Sequence, residues 1–162
     1  MKAVILMGSK ADLDFGKEIE EKLKLFGIEC DLRIASAHKT PDHVLRILKE
    51  YEDQEVVFVT IAGRSNALSG FVDANTLKPV LASPPIRDNW IDLFSSIRMP
   101  SGVAPMLVLE AENVALAVAK IFALKHEKIK KAVEDYQKKK KEEVLKADEE
   151  VGYGQCKGSH HP

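Results

Sequence analysis

The chain has 162 residues, enough for one domain with a substantial hydrophobic core. Its 24 Lys and Arg residues nearly balance 25 Asp and Glu residues, and a formal net charge of -1 argues against a nucleic-acid-binding protein, which would carry a basic patch. Hydrophobic residues make up 45% of the chain, as in ordinary globular proteins, so a disordered chain is not expected.

The cysteines and the N-terminal segment bear on the cellular compartment. Cys30 and Cys156 lie far apart and show no metal-ligand spacing, which is typical of reduced thiols. The apolar run at residues 3–7 is too short for the core of a signal peptide, and no run reaches the roughly 18 residues that a membrane helix needs. We therefore expect a cytoplasmic protein without a membrane segment or a bound metal.

The first part of the chain predicts a strand, a turn and a helix. The continuous apolar run at residues 3–7 is typical of a strand buried on both faces of a parallel sheet, and a turn follows at residues 8–12. Apolar residues then recur at helical spacing: Phe15, Ile19, Leu23 and Phe26. Gly27 fits the position just past the end of that helix.

A second strand at about residues 28–35 leads into a polar loop and a second helix. Thr40 is the predicted N-cap of this helix, Pro41 suits its first position, and Asp42 is favourable in its first turn. We expect its buried side to consist of four residues: Val44, Leu45, Leu48 and Tyr51.

The next segments continue the alternation of strands and helices. Residues 55–62 are β-branched and apolar almost throughout, which predicts a strand. A short helix at residues 67–73, a strand at 79–83, a helical stretch within 88–102 and a fifth strand at 106–109 are expected after it.

The C-terminal part changes from apolar to highly charged. The predicted helix at residues 112–124 is apolar nearly all round, and Ala115, Ala119 and Ala123 permit close packing, so we expect other subunits to cover it; a central helix of a single domain is the alternative. Residues 125–150 hold nine Lys and eight Asp or Glu, which indicates a solvated helix leaning on a neighbouring subunit rather than a nucleic-acid arm.

We therefore divide the chain into an α/β domain at residues 1–124, a charged helix at 125–151 and a flexible tail at 152–162. In the tail, residues 158–161 read Gly-Ser-His-His and resemble the remnant of an expression tag, so these histidines are given no metal role. His126, at the start of the charged helix, is expected to be solvated, and His43 has no assigned role.

The alternation of strands and helices predicts a three-layer, doubly wound parallel sheet of about five strands, in the flavodoxin-like order 2-1-3-4-5. In that order the ligand crevice lies where strands 1 and 3 part, so the polar loops at residues 8–12, 36–40 and 63–66 are expected to converge there. An imidazole next to an amine, as in His38 and Lys39, on a loop entering a helix is suited to proton transfer on an anionic ligand.

Four motifs together resemble the aminoimidazole ribonucleotide (AIR) carboxylase family of purine biosynthesis. They read MGSKAD at residues 7–12, SAHKT at 36–40, AGRSNALSG at 62–70 and SSIRMPSG at 95–102. The family has a mutase branch, with His-Arg in the second motif and a Gly-Gly-Ala-Ala-His type of third motif. Lys39 after His38, and a third loop without histidine, resemble the branch that carboxylates AIR directly with CO2, without ATP, biotin or another cofactor.

Within that resemblance, each loop has an expected role. His38 and Lys39 are the predicted catalytic residues, with His38 as the base that removes the ring proton. Predicted substrate-binding residues in the first two loops are Ser9, Asp12, Ser36 and Lys39; those in the third loop are Gly63, Arg64, Ser65 and Asn66. Asp12 suits the ribose diol, and Ser36 and Lys39 suit the phosphate, although Lys39 could instead face the incoming carboxylate.

Some alternatives stay open at this point. Asp12 could instead cap a helix, and residues 63–66 could be a simple tight turn. Ala11 stands where family members often carry a second serine, which puts one phosphate contact in doubt. The mutase reaction, a flavodoxin-like binding module and a structural oligomer are the other functions considered, because a fold does not fix a function. The resemblance also implies a homo-octamer in which residues 88–102 reach a neighbour's pocket.

Overall fold

The computed structural model of the protein describes residues 1–85 and 90–155. Five parallel strands form one sheet in the order β2-β1-β3-β4-β5, which confirms the predicted flavodoxin-like order. The strands are β1 (Lys2–Met7), β2 (Glu29–Ile34), β3 (Val56–Ile61), β4 (Val80–Ala82) and β5 (Met106–Leu107). All six residues of β3 are buried, as its β-branched sequence predicts.

Helices connect the strands and cover both faces of the sheet. They are α1 (Leu13–Lys24), α2 (Pro41–Glu50), α3 (Ala67–Ala74), α4 (Phe94–Ile97), α5 (Ala111–Ala123) and α6 (Glu127–Gln155). Short 3-10 turns lie at Lys10–Asp12 and Trp90–Leu93. Among the helices in the described ranges, none combines the length and the apolar character needed to cross a membrane.

Alternation along the central strands divides the core into two layers. Ala3, Ile5 and Met7 of β1 pack with α1, α5 and the start of α6, whereas Val4 and Leu6 pack with α2 and α3. The protein is therefore the three-layer, doubly wound α/β fold that the sequence predicts.

Helix α1 follows the predicted pattern closely. Ile19, Leu23 and Phe26 are buried, and Gly27 adopts a φ of +68°, which a glycine just past a helix end tolerates without strain. A β-carbon at Gly16 would lie 2.7 Å from the sulfur of Met7, so this glycine permits α1 to approach β1 closely.

One prediction about α2 is wrong, and another is confirmed in position but not in its hydrogen bond. Leu45 is 41% exposed, and Ile47 is fully buried in its place, because Ile47 shares a helical face with Val44, Leu48 and Tyr51 whereas Leu45 lies about 100° away from Val44 around the helix axis. Thr40 does occupy the N-cap position, but its side chain makes no capping hydrogen bond.

The C-terminal helices pack on α1. Val114, Ala115, Val118, Ala119 and Phe122 of α5 are buried beside α1 and the first turns of α6. The apolar character of α5 is thus largely accounted for within the chain, which favours the central-helix alternative for these residues.

Helix α6 departs from the prediction at both ends. His126, expected to be solvated, is half-buried, with Nε2 2.9 Å from the carboxylate of Glu55 and its ring edge-on to Phe122. The helix continues to Gln155 and so includes the first residues of the predicted tail. The rest of that tail, with Cys156 and the two terminal histidines, lies outside the described residues, as do residues 88 and 89 of the stretch expected to reach a neighbour.

Candidate active site

The register of the sheet brings three polar loops to one edge. Met7, at the end of β1, is paired with Ile34 on one side and Ile61 on the other. The N–H of Gly8 donates to the carbonyl of Ile61 at 2.8 Å, and the N–H of Ala35 donates to that of Met7 at 2.9 Å. The loops after β1, β2 and β3 therefore begin at one level, around the point where the strand order reverses.

The first loop contributes a serine and a buried carboxylate. The hydroxyl of Ser9 donates to the carboxylate of Asp12 at 3.1 Å, and Asp12 is only 5% exposed. Asp12 stands at the N-cap position of α1, yet its side chain makes no capping hydrogen bond. The structure therefore does not support the capping role considered for this residue.

The second loop is a tight turn closed by Ser36 and Thr40. The N–H of Ser36 donates to the hydroxyl oxygen of Thr40 at 3.0 Å, and the N–H of Thr40 donates back to the carbonyl of Ser36 at 2.8 Å. The hydroxyl of Ser36 accepts from the N–H of Lys39 at 3.3 Å. His38 and Lys39 are thus presented to solvent at the tip of a closed turn that leads into α2.

The third loop turns sharply after β3. Ser65 has a φ of +46°, a left-handed conformation that is uncommon for a serine, and its carbonyl accepts from the N–H of Ala67 at 2.6 Å. Arg64 and Ser65 are exposed, and Gly63 is half-buried. Strained backbone of this kind concentrates at functional sites, which supports a role for this turn beyond chain reversal.

Asn66 behaves differently from the rest of the third loop. Its side chain is 3% exposed, accepts from the N–H and the hydroxyl of Ser69 at 3.1 and 2.9 Å, and donates to the hydroxyl of Ser96 at 2.8 Å. The predicted contact between this side chain and a substrate is therefore not favoured, because the carbonyl oxygen and one N–H already bind protein groups.

Sequence reasoning did not assign roles to the serines that hold Asn66. Ser95 and Ser96 belong to the fourth motif, and the hydroxyl of Ser95 accepts from the backbone N–H of Asn66 at 2.8 Å. The only signal for them in the sequence is that two adjacent serines open a motif that otherwise contains apolar and basic residues.

An ion-pair network next to the second loop anchors β2 to α2. Arg33 binds the carboxylate of Glu50, and Asp31 accepts from Lys2 and from the hydroxyl of Tyr51, each at 2.9 Å. Burial alone would raise the pKa of Asp31, but the bonds from Lys2 and Tyr51 outweigh it and lower that pKa. The network thus joins β2 to the C-terminal end of α2, the end opposite the turn that carries His38.

Comparison with known proteins agrees with this geometry. A family model described as AIR carboxylase matches residues 2–143. The phosphoribosylaminoimidazole carboxylase of Archaeoglobus fulgidus is 69% identical over 93% of this chain and 85% of its own length. That of Treponema denticola is 46% identical over 91% of this chain and 96% of its own length.

A solved structure gives the same result for the fold. The crystal structure of Treponema denticola PurE superposes with a TM-score of 0.89 at 46% identity, covering 92% of this chain and 97% of that one. The family match, the two relatives and the shared architecture extend over the three loops described above. The chain belongs to the AIR carboxylase family.

Proposed function

We propose that the protein carboxylates AIR at ring carbon 4 with CO2 to give 4-carboxy-AIR, without ATP or biotin. The observation that carries this proposal is the meeting of three loops, with Asp12, His38 and Ser65, at one edge of the sheet. The names of the two relatives support the same reaction. Lys39 and a third loop without histidine favour direct carboxylation over the mutase reaction.

AIR carries a phosphate, a ribose diol and an electron-rich ring, and the first two loops offer a partner for each polar part. The Asp12 carboxylate accepts hydrogen bonds, so it suits the two ribose hydroxyls. Ser36, Lys39 and the N-terminus of α2 supply a hydroxyl, a cation and a helix end for the phosphate. Ser9, bonded to Asp12, holds that carboxylate in place and lies within the same loop.

The chemical step needs a base beside the ring. The enamine carbon of AIR attacks CO2, one C–O electron pair moves onto oxygen, and carbon 4 then bears both a hydrogen and the new carboxylate. His38 takes that proton, and the electrons of the broken C–H bond restore the aromatic ring. The exposed position of His38 on a closed turn leaves the imidazole accessible to a ligand in the crevice.

CO2 has few groups to bind, so the protein must hold it against the ring by shape and by hydrogen-bond donors. The turn at Gly63, Arg64 and Ser65 is suited to this, because its backbone N–H groups and the Arg64 cation can stabilise the developing carboxylate. Lys39 is the alternative cation for that charge.

We also propose that the chain assembles, as a homo-octamer, with the C-terminal helices at subunit contacts. Supporting this, a groove of about 770 Å³ between α5 and α6 combines four apolar or aromatic residues with five polar or charged ones: Leu116, Tyr136, Val144 and Leu145, with Glu112, Asn113, Gln137, Lys140 and Lys141. Val144, Leu145 and Val151 of α6 are more than 60% exposed, which is costly for a lone helix in water. A cytoplasmic location is proposed with it, because Cys30 is a free cysteine in the structure, as is usual for proteins of reducing compartments.

One assay separates the two enzyme reactions. The protein is incubated with AIR and bicarbonate/CO2 without ATP, and 4-carboxy-AIR is followed as dissolved CO2 is varied. Formation of product in proportion to CO2 supports carboxylation. Conversion only of N5-carboxy-AIR would assign the mutase reaction, and a tightly bound flavin with neither activity would assign a flavodoxin-like binding module.

A further inference from the structure

A chain of buried polar side chains runs beneath the third loop. The described residues contain six buried polar side chains: Asp12, Thr60, Asn66, Ser69, Ser83 and Ser96. Thr60, Asn66, Ser69 and Ser96 form one continuous set of hydrogen bonds that links β3, α3 and α4. Polar groups are costly to bury unless they are fully bonded, so this set fixes the relative position of the three elements.

The hydroxyl groups of Thr60 and Ser69 have fewer protons than hydrogen-bonding contacts. The hydroxyl oxygens of Thr60 and Ser69 lie 2.7 Å apart, Thr60 also approaches the carbonyl of Leu81 at 3.1 Å, and Ser69 approaches the amide oxygen of Asn66 at 2.9 Å. Two hydroxyl protons thus serve three contacts. Losing one member would leave a buried partner without its bond.

Asn66 is the residue at which α4 joins the third loop. Its backbone N–H donates to Ser95 and its side-chain N–H donates to Ser96, both at 2.8 Å, across 29 and 30 residues of sequence. Its amide oxygen also caps α3 by accepting from the N–H of Ser69. With the bond from the Ser69 hydroxyl, four hydrogen bonds hold this one residue and leave its backbone little freedom.

The hydrogen bonds of Asn66 to Ser69, Ser95 and Ser96, which we call the clamp, adjoin the left-handed turn at Ser65. Ser65, with a φ of +46°, precedes Asn66 directly, and a non-glycine residue keeps that conformation only where its surroundings impose it. Close packing also holds α3 against the residues that follow α4. A β-carbon on Gly70 of α3 would lie 3.2 Å from the sulfur of Met99, which comes just after α4. Helix α4 therefore acts as the outer support of the turn.

From these contacts we propose that Ser96 is a positioning residue that acts through Asn66 to hold the Gly63–Ser65 turn in the geometry that carboxylation needs. The inference rests on the proposed function, in which this turn binds the incoming carboxylate. Ser36, Lys39 and Asp12, which bind the other parts of AIR, belong to other loops. Disturbing Ser96 should therefore affect turnover far more than AIR binding.

The first test compares Ser96→Ala with Ser83→Ala. Both remove one hydroxyl from a fully or nearly fully buried serine, but the Ser83 hydroxyl has no hydrogen-bond partner among the residues that the structure describes. We expect kcat of Ser96→Ala to fall about 10-fold or more, with KM for AIR changed less than about threefold, because small displacements of reacting groups are costly. Ser83→Ala should keep both constants. A kcat within about twofold of wild type for folded Ser96→Ala would overturn the proposal.

A double-mutant cycle tests the route through Asn66. If Ser96 acts through that residue, Asn66→Ala combined with Ser96→Ala should be no slower than Asn66→Ala alone. Multiplied losses in kcat would show that Ser96 acts by another route and would overturn the proposal.

Hydrogen exchange supplies a readout that needs no substrate. The amides of Asn66 and Ala67, which donate to Ser95 and Ser65, should exchange about 10-fold faster or more in Ser96→Ala and at the wild-type rate in Ser83→Ala. Unchanged exchange in Ser96→Ala would refute the clamp, whether or not the wild-type protein has carboxylase activity. If the wild type has no carboxylase activity but exchange is faster in Ser96→Ala, the clamp is supported and only the proposed function is rejected. Ser95→Ala serves as the second variant if Ser96→Ala does not fold, with the same expected results.

Discussion

The Ser9 hydroxyl donates a 3.1 Å hydrogen bond to the Asp12 carboxylate, three residues along the chain. This bond holds a buried acidic residue at the N-cap position of α1, where its side chain makes no capping hydrogen bond. In the proposed function, this carboxylate accepts hydrogen bonds from the ribose diol of AIR.

Asp12→Asn tests that role. The change keeps the shape but removes the charge, and a hydrogen bond to a charged group contributes about 1.5–3 kcal/mol, so KM for AIR should rise by roughly 10- to 100-fold. Initial rates at varied AIR measure it. Asp14→Asn, on the exposed first turn of α1, is the control and should leave KM unchanged. An unaltered KM in Asp12→Asn would reject ribose binding by this residue.

His38→Asn tests the proposed base. Positioned general-base catalysis contributes about 10²- to 10⁴-fold, so kcat should fall by that factor while AIR still binds. The measurement is kcat at saturating AIR and CO2, with calorimetry to verify binding. His43→Asn, which alters a half-buried histidine of α2 with no assigned role, is the matched control. Full turnover by His38→Asn would remove the proposed base.

Ser83→Ala should stabilise the protein slightly. Its hydroxyl is buried just after β4 and has no hydrogen-bond partner within residues 1–85 and 90–155, so burial carries a desolvation cost that no bond there offsets. We expect the free energy of unfolding to rise by up to about 1 kcal/mol, measured by urea denaturation. A clear loss of stability would mean that the hydroxyl has a partner in solution.

The contact between α5 and α6 should weaken at both ends of the pH range. Tyr136 donates to Glu112 at 2.5 Å, and Lys140 lies 3.0 Å from the same carboxylate. The Tyr136 bond, followed by that of Lys140, lowers the pKa of Glu112, so its contribution is present above its unfolded pKa and is lost as pH falls through the folded value.

The contribution of Tyr136 to stability has the opposite pH dependence. Burial first, and then Glu112, raises its pKa to about 12, so its contribution is complete below about pH 10 and disappears as pH rises through 12. Thermal unfolding of the wild type and of Tyr136→Phe across pH 8–12 measures the difference. Equal pH profiles for the two proteins would contradict this assignment.

The local pattern of apolar residues was sufficient to predict most of the fold. The apolar runs of β1 and β3 and the spacing of Ile19, Leu23 and Phe26 depend on burial against neighbours that any doubly wound sheet provides. The error at Leu45 and Ile47 arose because both residues are apolar and only the helix rotation relative to the sheet decides which one is buried.

The sequence was sufficient to predict which loops form the candidate site, but not which side chains bond to each other within it. The strand order alone brings the three loops together, as the crevice rule requires. By contrast, the bond between Asn66 and Ser96 joins the third loop to α4 across 30 positions, and the pairing of His126 with Glu55 spans 71 positions. No periodic pattern encodes such partners, so Asn66 was expected to face the ligand rather than the protein.

Helix α6 is 29 residues long, about 44 Å, and every side chain from 138 to 152 is exposed. Charge pairs such as that of Lys138 with Glu142 add only about 0.2–0.5 kcal/mol each, and a free helix of about 15 residues is marginal in water. The distal half of α6 should thus unwind when nothing lies against it, so a fall in mean ellipticity at 222 nm on serial dilution would report the loss of the proposed subunit contacts.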